Sequence, residues 1–198
     1  TTDLLKNYLF ATTAASSTDL SHVRQQWKKI TDIVGMREFP DFLRHFLNSQ
    51  QPYVRTERLF KAIREKVTRR DEVFALLDAL EKAAYWYKAL SDHNDELWTD
   101  YPGCAEQVRC LRLFRVSQYK PLILACAGKL AVEDLRKVLR ACVVVSFRFN
   151  VICQKSTHIL EDIYNKAAVE VSAGRYQNAR QVITGLMPIY IQDDEFKN

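Results

Sequence analysis

Histidines and cysteines are the residues of this chain best equipped to hold a metal or act as nucleophiles, and their spacing argues against both roles. A zinc site needs Cys or His in paired spacings that converge on one ion. His22, His45, His93 and His158 are instead spread one per candidate helix or loop. Cys104, Cys110, Cys126, Cys142 and Cys153 form no CxxC pair and sit among apolar neighbours at helix-like positions. An odd number of cysteines so placed reads as buried, reduced thiols of a cytoplasmic protein rather than a disulfide framework. No metal ligand and no catalytic residue is therefore expected within these boundaries.

Phosphate chemistry fares no better through glycine-rich loops. Neither GxGxxG nor GxxxxGK[ST] occurs, and no two glycines lie close enough to build either. His158-Ile159-Leu160 opens like the motif of some HNH nucleases, whose chemistry needs a second, downstream His to complete the metal site. No His follows position 158, Glu161 stands where that motif usually has Pro, and Ser156-Thr157 is a good helix cap. The tripeptide is accordingly read as the first turn of a helix.

Basic side chains are the remaining source of chemistry. Arg24, Lys28 and Lys29 share the solvent side of a candidate second helix; Arg55, Arg58, Lys61, Arg64, Lys66, Arg69 and Arg70 crowd the region of the fourth; Arg109, Arg112 and Arg115 recur every three residues beside Phe114. Such cations can follow a nucleic-acid backbone as point charges, with an affinity that falls steeply with salt. On that reading Arg24, Lys28, Arg58, Lys61, Arg64, Arg69, Arg109 and Arg112 are the DNA-backbone candidates. The other reading is a solvated charged surface, since Glu57, Glu65, Asp71 and Glu72 are interleaved in the densest group. A net charge of +5 and a pI near 8.9 permit nucleic-acid contact without demanding it. Tyr85-Trp86-Tyr87 is no stacking platform, because three consecutive helical residues point in different directions.

The elements that carry these residues are helices. Only 5 Gly and 5 Pro punctuate 198 residues, too few for the turns of an all-β fold. Apolar side chains recur at helical pitch: Leu4, Leu5, Tyr8 and Leu9; then Leu20, Val23, Trp27, Ile30 and Val34, capped by Ser16 to Thr18 and ended by Gly35; then Phe42, Leu43, Phe46 and Leu47 after Pro40. Leu59, Phe60, Ile63 and Val67 follow, and Asp71-Glu72 favours the start of a stripe running from Val73 to Leu90. From Ser91 to Pro102 polar and aromatic residues replace the aliphatics, which marks the strongest linker candidate. The pattern resumes with Val108, Leu111 and Phe114, with Leu122 to Leu130, and with the longest apolar helix, whose Leu135, Val138, Leu139, Cys142, Val145 and Phe149 are flanked by further aliphatics. Such breadth belongs to the centre of a core. Ile159, Leu160, Ile163, Ala167 and Val171 and a last helix near 177–188 complete the set. No fixed-period repeat is present. The longest apolar stretch, Ala141 to Val145, is far short of the ~20 residues that span a bilayer, so no membrane partner is expected.

Thr1-Thr2-Asp3-Leu4-Leu5-Lys6-Asn7-Tyr8-Leu9-Phe10 resembles a family signature. In the GmrSD-type restriction proteins, which join a ParB-like nucleotide-hydrolysing domain to an HNH nuclease domain, a segment N-x-R-G-x-x-L-T-x-x-D-L-x-K-N-Y-L leads into a helical region. Asp3, Leu4, Lys6, Asn7, Tyr8 and Leu9 match its last part. Looser likeness follows in order at Trp27, at Phe39, Phe42, Leu43, Arg44 and Leu47, at Lys120 to Leu124, and at Phe147-Arg148-Phe149, while Asp193-Asp194-Glu195-Phe196 is similar to the lead-in to the nuclease domain. The resemblance implies a middle piece of a larger protein, with the nucleotide-site D-G-x-Q-R upstream and the nuclease histidines downstream. It carries over only Asp3, Lys6 and Asn7, as an edge of the upstream nucleotide site; the alternative is that Asp3 caps the first helix and the other two sit on its surface.

The expectation is thus an all-α, irregular bundle of about 8–10 helices, divisible into subdomains at 1–90 and 103–198 with a linker at 91–102. The expected role is a non-catalytic connector between the flanking NTPase and nuclease domains of a phage-defence endonuclease. It would hold no cofactor itself, the parent protein using an NTP and a divalent metal, with DNA and oligomeric copies as further partners. The rival is a helical interaction or oligomerisation module without nucleic-acid contact.

Overall fold

A computed structural model of the chain describes residues 2–153 and 156–191. Among them lie ten α-helices and no strand, an all-α multi-helix fold. The chain forms two compact units, Thr1–Leu47 with Val54–Lys88 and Asn48–Tyr53 with Ala89–Asn198.

The first unit holds α1 (Thr2–Thr12), α2 (Ser17–Val34), α3 (Phe39–Asn48, up to Leu47), α4 (Leu59–Arg64) and α5 (Arg70–Ala89, up to Lys88). Ser16 caps α2 by accepting from the Asp19 N–H, and Gly35 closes it with φ 84°, a left-handed value that a side chain would strain. Packing explains why α3 forms: Phe39, Phe42, Leu43, Phe46 and Leu47 are all buried. Trp27, Phe39, Phe42 and Tyr87 make a continuous chain of ring contacts at 5.0–5.8 Å. Helices α2 and α5 are stitched in matching order by Asp19 to Arg70, His22 to Phe74, Gln26 to Asp78 and Lys29 to Glu81, so the two run parallel. The 3–4 spacing of both series places this seam along one flank of each helix.

The second unit holds α6 (Cys104–Leu113), α7 (Lys120–Cys126), α8 (Val132–Ser146), α9 (Thr157–Ser172) and α10 (Ala179–Leu186). Helix α7 packs on α9, α6 on α8, and α10 on both α8 and α9. Helix α8 continues into a π-helical turn at Phe147–Ile152. Residues Ser91 to Pro102, expected as a linker, carry a 3-10 turn at Glu96–Asp100 capped by Asp95. Buried Trp98 fastens that turn by donating Nε1–H to the carbonyls of Ala89 and Asp92 at 3.1 and 3.0 Å. The stretch around Gln50-Gln51-Pro52 is likewise held: Asn165 donates to the Asn48 and Gln51 carbonyls at 2.6 and 3.0 Å, and Ser172 to the Ser49 carbonyl at 2.6 Å.

The buried face of α9 keeps Leu160, Ala167 and Val171 of the expected stripe but is broader and not wholly apolar. Ile159 is 51% exposed, whereas Tyr164, Asn165 and Ala168 are buried. Asn165 reaches the carbonyls it satisfies from beside the stripe, and the small Ala167 and Ala168 permit close packing.

Candidate nucleic-acid interface

The residues carried over by resemblance sit on α1. Leu5 and Leu9 are fully buried, and the Tyr8 hydroxyl donates to the Val67 carbonyl at 2.6 Å. Asp3 lies in the first turn, where the helix dipole favours a carboxylate, and pairs with Lys6 at 3.2 Å. Asn7 is exposed beside them. The matched segment is therefore half anchor and half polar surface.

The eight backbone candidates are all exposed, and most meet a partner close by. Lys28 pairs with Asp32 at 2.9 Å, Lys61 with Glu65 at 3.8 Å, Arg69 with Glu72 at 2.8 Å and Arg109 with Glu106 at 3.5 Å, each within its own helix or helix start. Arg112 meets His93 Nδ1 at 3.0 Å and Asp92 at 3.9 Å. Arg24 lies over the Phe10 ring at 5.6 Å and Arg64 over Phe60 at 5.8 Å. Arg58 stands exposed on a 3-10 turn, Thr56–Arg58.

The dense run from Arg55 to Arg70 does not follow one helix. Helix α4 is six residues long, so the cations are divided among a 3-10 turn, α4, the loop after it and the first residue of α5. What breaks the run is a cap. The Glu72 carboxylate accepts the N–H groups of Thr68 and Arg69 at 2.8 and 3.0 Å. These bonds, the Thr68 one first, hold its pKa near 2. Lys29, which sequence reasoning grouped with solvent-facing cations, is drawn to Glu81 at 2.6 Å, and that bond raises its pKa.

Cys126 on α7 and Cys142 on α8 lie close enough to interact, and both are fully buried. Among the described residues no group of three or more His, Cys, Asp or Glu side chains could hold a metal ion. Burial pushes the Cys104 thiol up to about 11 and Cys142 up to about 12, and raises Cys126 as well. Groups held so firmly protonated are packing elements. His158 lies on the first turn of α9, its Nδ1 3.9 Å from Glu161. His45 is buried on α3 against the Tyr87 ring at 5.8 Å. Tyr85 is exposed and Tyr87 buried, the divergence expected of neighbours on a helix. Asp193 to Phe196, read as a lead-in, lie outside the described residues. No described helix is long and apolar enough to cross a membrane.

Sequence reasoning missed the open apolar channel between α8 and α10, about 280 Å³ in volume. Its signal was the excess of aliphatics beside the core stripe of α8. Set against known proteins, the chain matches no family model, no curated protein and no solved structure.

Proposed function

We propose that this chain is a non-catalytic helical connector of a DNA-targeting restriction nuclease of the GmrSD kind, joining an upstream nucleotide-hydrolysing domain to a downstream HNH nuclease domain. The observation that carries the reading is the fate of its opening segment. Leu5, Tyr8 and Leu9, three of the residues in the family-like stretch, are bound into the first unit. A displacement handed on from upstream through α1 would then move a packed element instead of a loose tether. Such transmission needs no reactive group on the connector, which agrees with the buried, protonated thiols.

The test has two arms. With Mg²⁺ or Mn²⁺ present, the purified chain is expected to hydrolyse neither nucleotide nor DNA, and robust metal-dependent cleavage sinks the proposal. The reading frame around this chain is expected to encode D-G-x-Q-R upstream and paired nuclease histidines downstream; a frame with neither overturns it too.

A second reading, a protein-interaction module without nucleic-acid contact, is favoured by the local pairing of Lys28, Lys61, Arg69, Arg109 and Arg112. Titrating labelled duplex DNA at two salt concentrations separates the readings. Backbone tracking predicts binding that weakens as a steep power of salt, most sensitive to Arg24→Ala and Arg58→Ala, whereas the interaction module predicts none.

A further inference from the structure

Helix α8 has more apolar surface than its core uses. Leu135, Val138, Leu139, Cys142 and Val145 face inward and are buried. Ala141 and Val144 belong to an adjoining face that is only half-covered. Opposite them stand Ile183 and Leu186 of α10, with Met187 and Tyr190 beyond its end. Met187 is 46% exposed, a large apolar side chain with one side turned to water. The channel between these residues, about 280 Å³, suits one or two bulky side chains.

Its rim is cationic. Lys137 and Arg140 line the channel from α8, and among the described residues no carboxylate lines it. Lys137 shares Glu133 with Arg136, at 3.7 Å against 2.7 Å for the arginine. Arg140 is exposed, and among the described residues no carboxylate pairs with it. From position 137 to position 144 the helix rises about 10 Å, two turns, so apolar floor and positive rim run side by side for the length of two turns of a second helix.

We propose that this channel is the docking site of an acidic amphipathic helix from a protein partner. Apolar side chains at i and i+4 of the incoming helix enter between Val144 and Ile183 and against Met187, while acidic residues beside them meet Lys137 and Arg140. Charge complementarity fixes the occupant's chemistry: a neutral or basic helix would bury the same apolar surface but leave the Arg140 guanidinium facing like charge or none. The proposal goes beyond the connector reading and does not rest on it, since the partner could be any domain or chain that offers such a helix.

The probe is a fluorescein-labelled amphipathic peptide with leucines at i and i+4 and glutamates elsewhere, with its lysine counterpart as control, titrated against the intact chain by anisotropy. Saturable binding of the glutamate peptide in the range of about 10–100 µM is expected at low salt, with resonances of Ala141, Val144, Ile183 and Met187 moving in a ¹⁵N correlation spectrum. The double variant Lys137→Glu with Arg140→Glu, and separately Met187→Glu, should each weaken binding at least tenfold. All three sites are exposed, so helicity by circular dichroism is expected to stay unchanged, and if one variant fails to fold the other still decides. The proposal is overturned if the glutamate peptide does not bind by about 1 mM, if the lysine peptide binds as well, or if a folded variant binds like the parent.

Discussion

The two units differ in how dense their charge is and in how much apolar surface they leave open. In the first, the cations are dense and many are locally answered: Lys29 by Glu81, Arg69 by Glu72, Arg70 by Asp19, and the α2–α5 seam turns several into structural ties. In the second, charge is sparser, yet an apolar channel with an unanswered Arg140 at its rim stays open. The lesson is that charge density along a sequence is a poor guide to a binding surface. What counts is the charge left over after a helix has satisfied its own i, i+3 and i, i+4 partners, which cost little to form and are worth little when exposed.

The strongest way to break this contrast is through the cores. The first is aromatic, around Phe42, and the second is aliphatic and thiol-rich, around Leu139 and Cys142. Phe42→Ala should destabilise the first unit by about 3–5 kcal/mol and Leu139→Ala the second by about 2–5 kcal/mol, measured by urea unfolding followed through amide resonances of each unit. A loss below about 1 kcal/mol in either case would mean that the residue is not central to its core.

A smaller effect sharpens the description of the second unit. Ellman's reagent should label half-buried Cys110 and Cys153 in the native protein, while Cys104, Cys126 and Cys142 react only after denaturant is added. Fast native labelling at Cys142, located by mass spectrometry, would contradict the burial that raises its pKa.

The smallest expected effect concerns the cap of α5. The folded pKa of Glu72 lies near 2, below its ordinary 4.5. A depressed carboxyl pKa stabilises the fold fully above the ordinary value, and that contribution is lost as pH falls from about 4.5 toward 2. Glu72→Gln should therefore flatten the stability profile within that acid window and leave its shape at neutral pH unchanged. A carbon-detected titration that finds the Glu72 midpoint at an ordinary value would remove the cap from the account.

Much of the fold was legible because helix formation is local. The stripes fall on buried faces at Leu5 and Leu9, at Val23, Trp27 and Ile30, and at Leu135 to Val145, whereas Leu4, expected with the first, is 59% exposed. What was not legible has one cause. Ser91 to Pro102 has the composition of a linker and follows the unit boundary at Lys88, but its fastening by Trp98, which donates to two carbonyls nine and six residues before it, is a contact no periodicity encodes. The α9 stripe is buried at Leu160, Ala167 and Val171 but not at Ile159, and it gave no sign of Asn165, which is buried to satisfy carbonyls more than a hundred residues away. Of the candidate surface, the identity and exposure of the eight cations could be read directly; the pairing of Arg69 depended on where α5 begins and that of Arg112 on the loop that brings Asp92 to it.

The sequence alone determined that this is a helical protein and most of the positions that face a core. Those properties follow from side-chain type at a spacing of three or four residues, which an α-helix converts into one face whatever the rest of the chain does. Tertiary structure decided which cations keep a free charge and which apolar face stays open, because both are remainders: they exist only once every other helix has taken its place, and the surplus aliphatics of α8 become a channel only where α10 lies beside them without closing it.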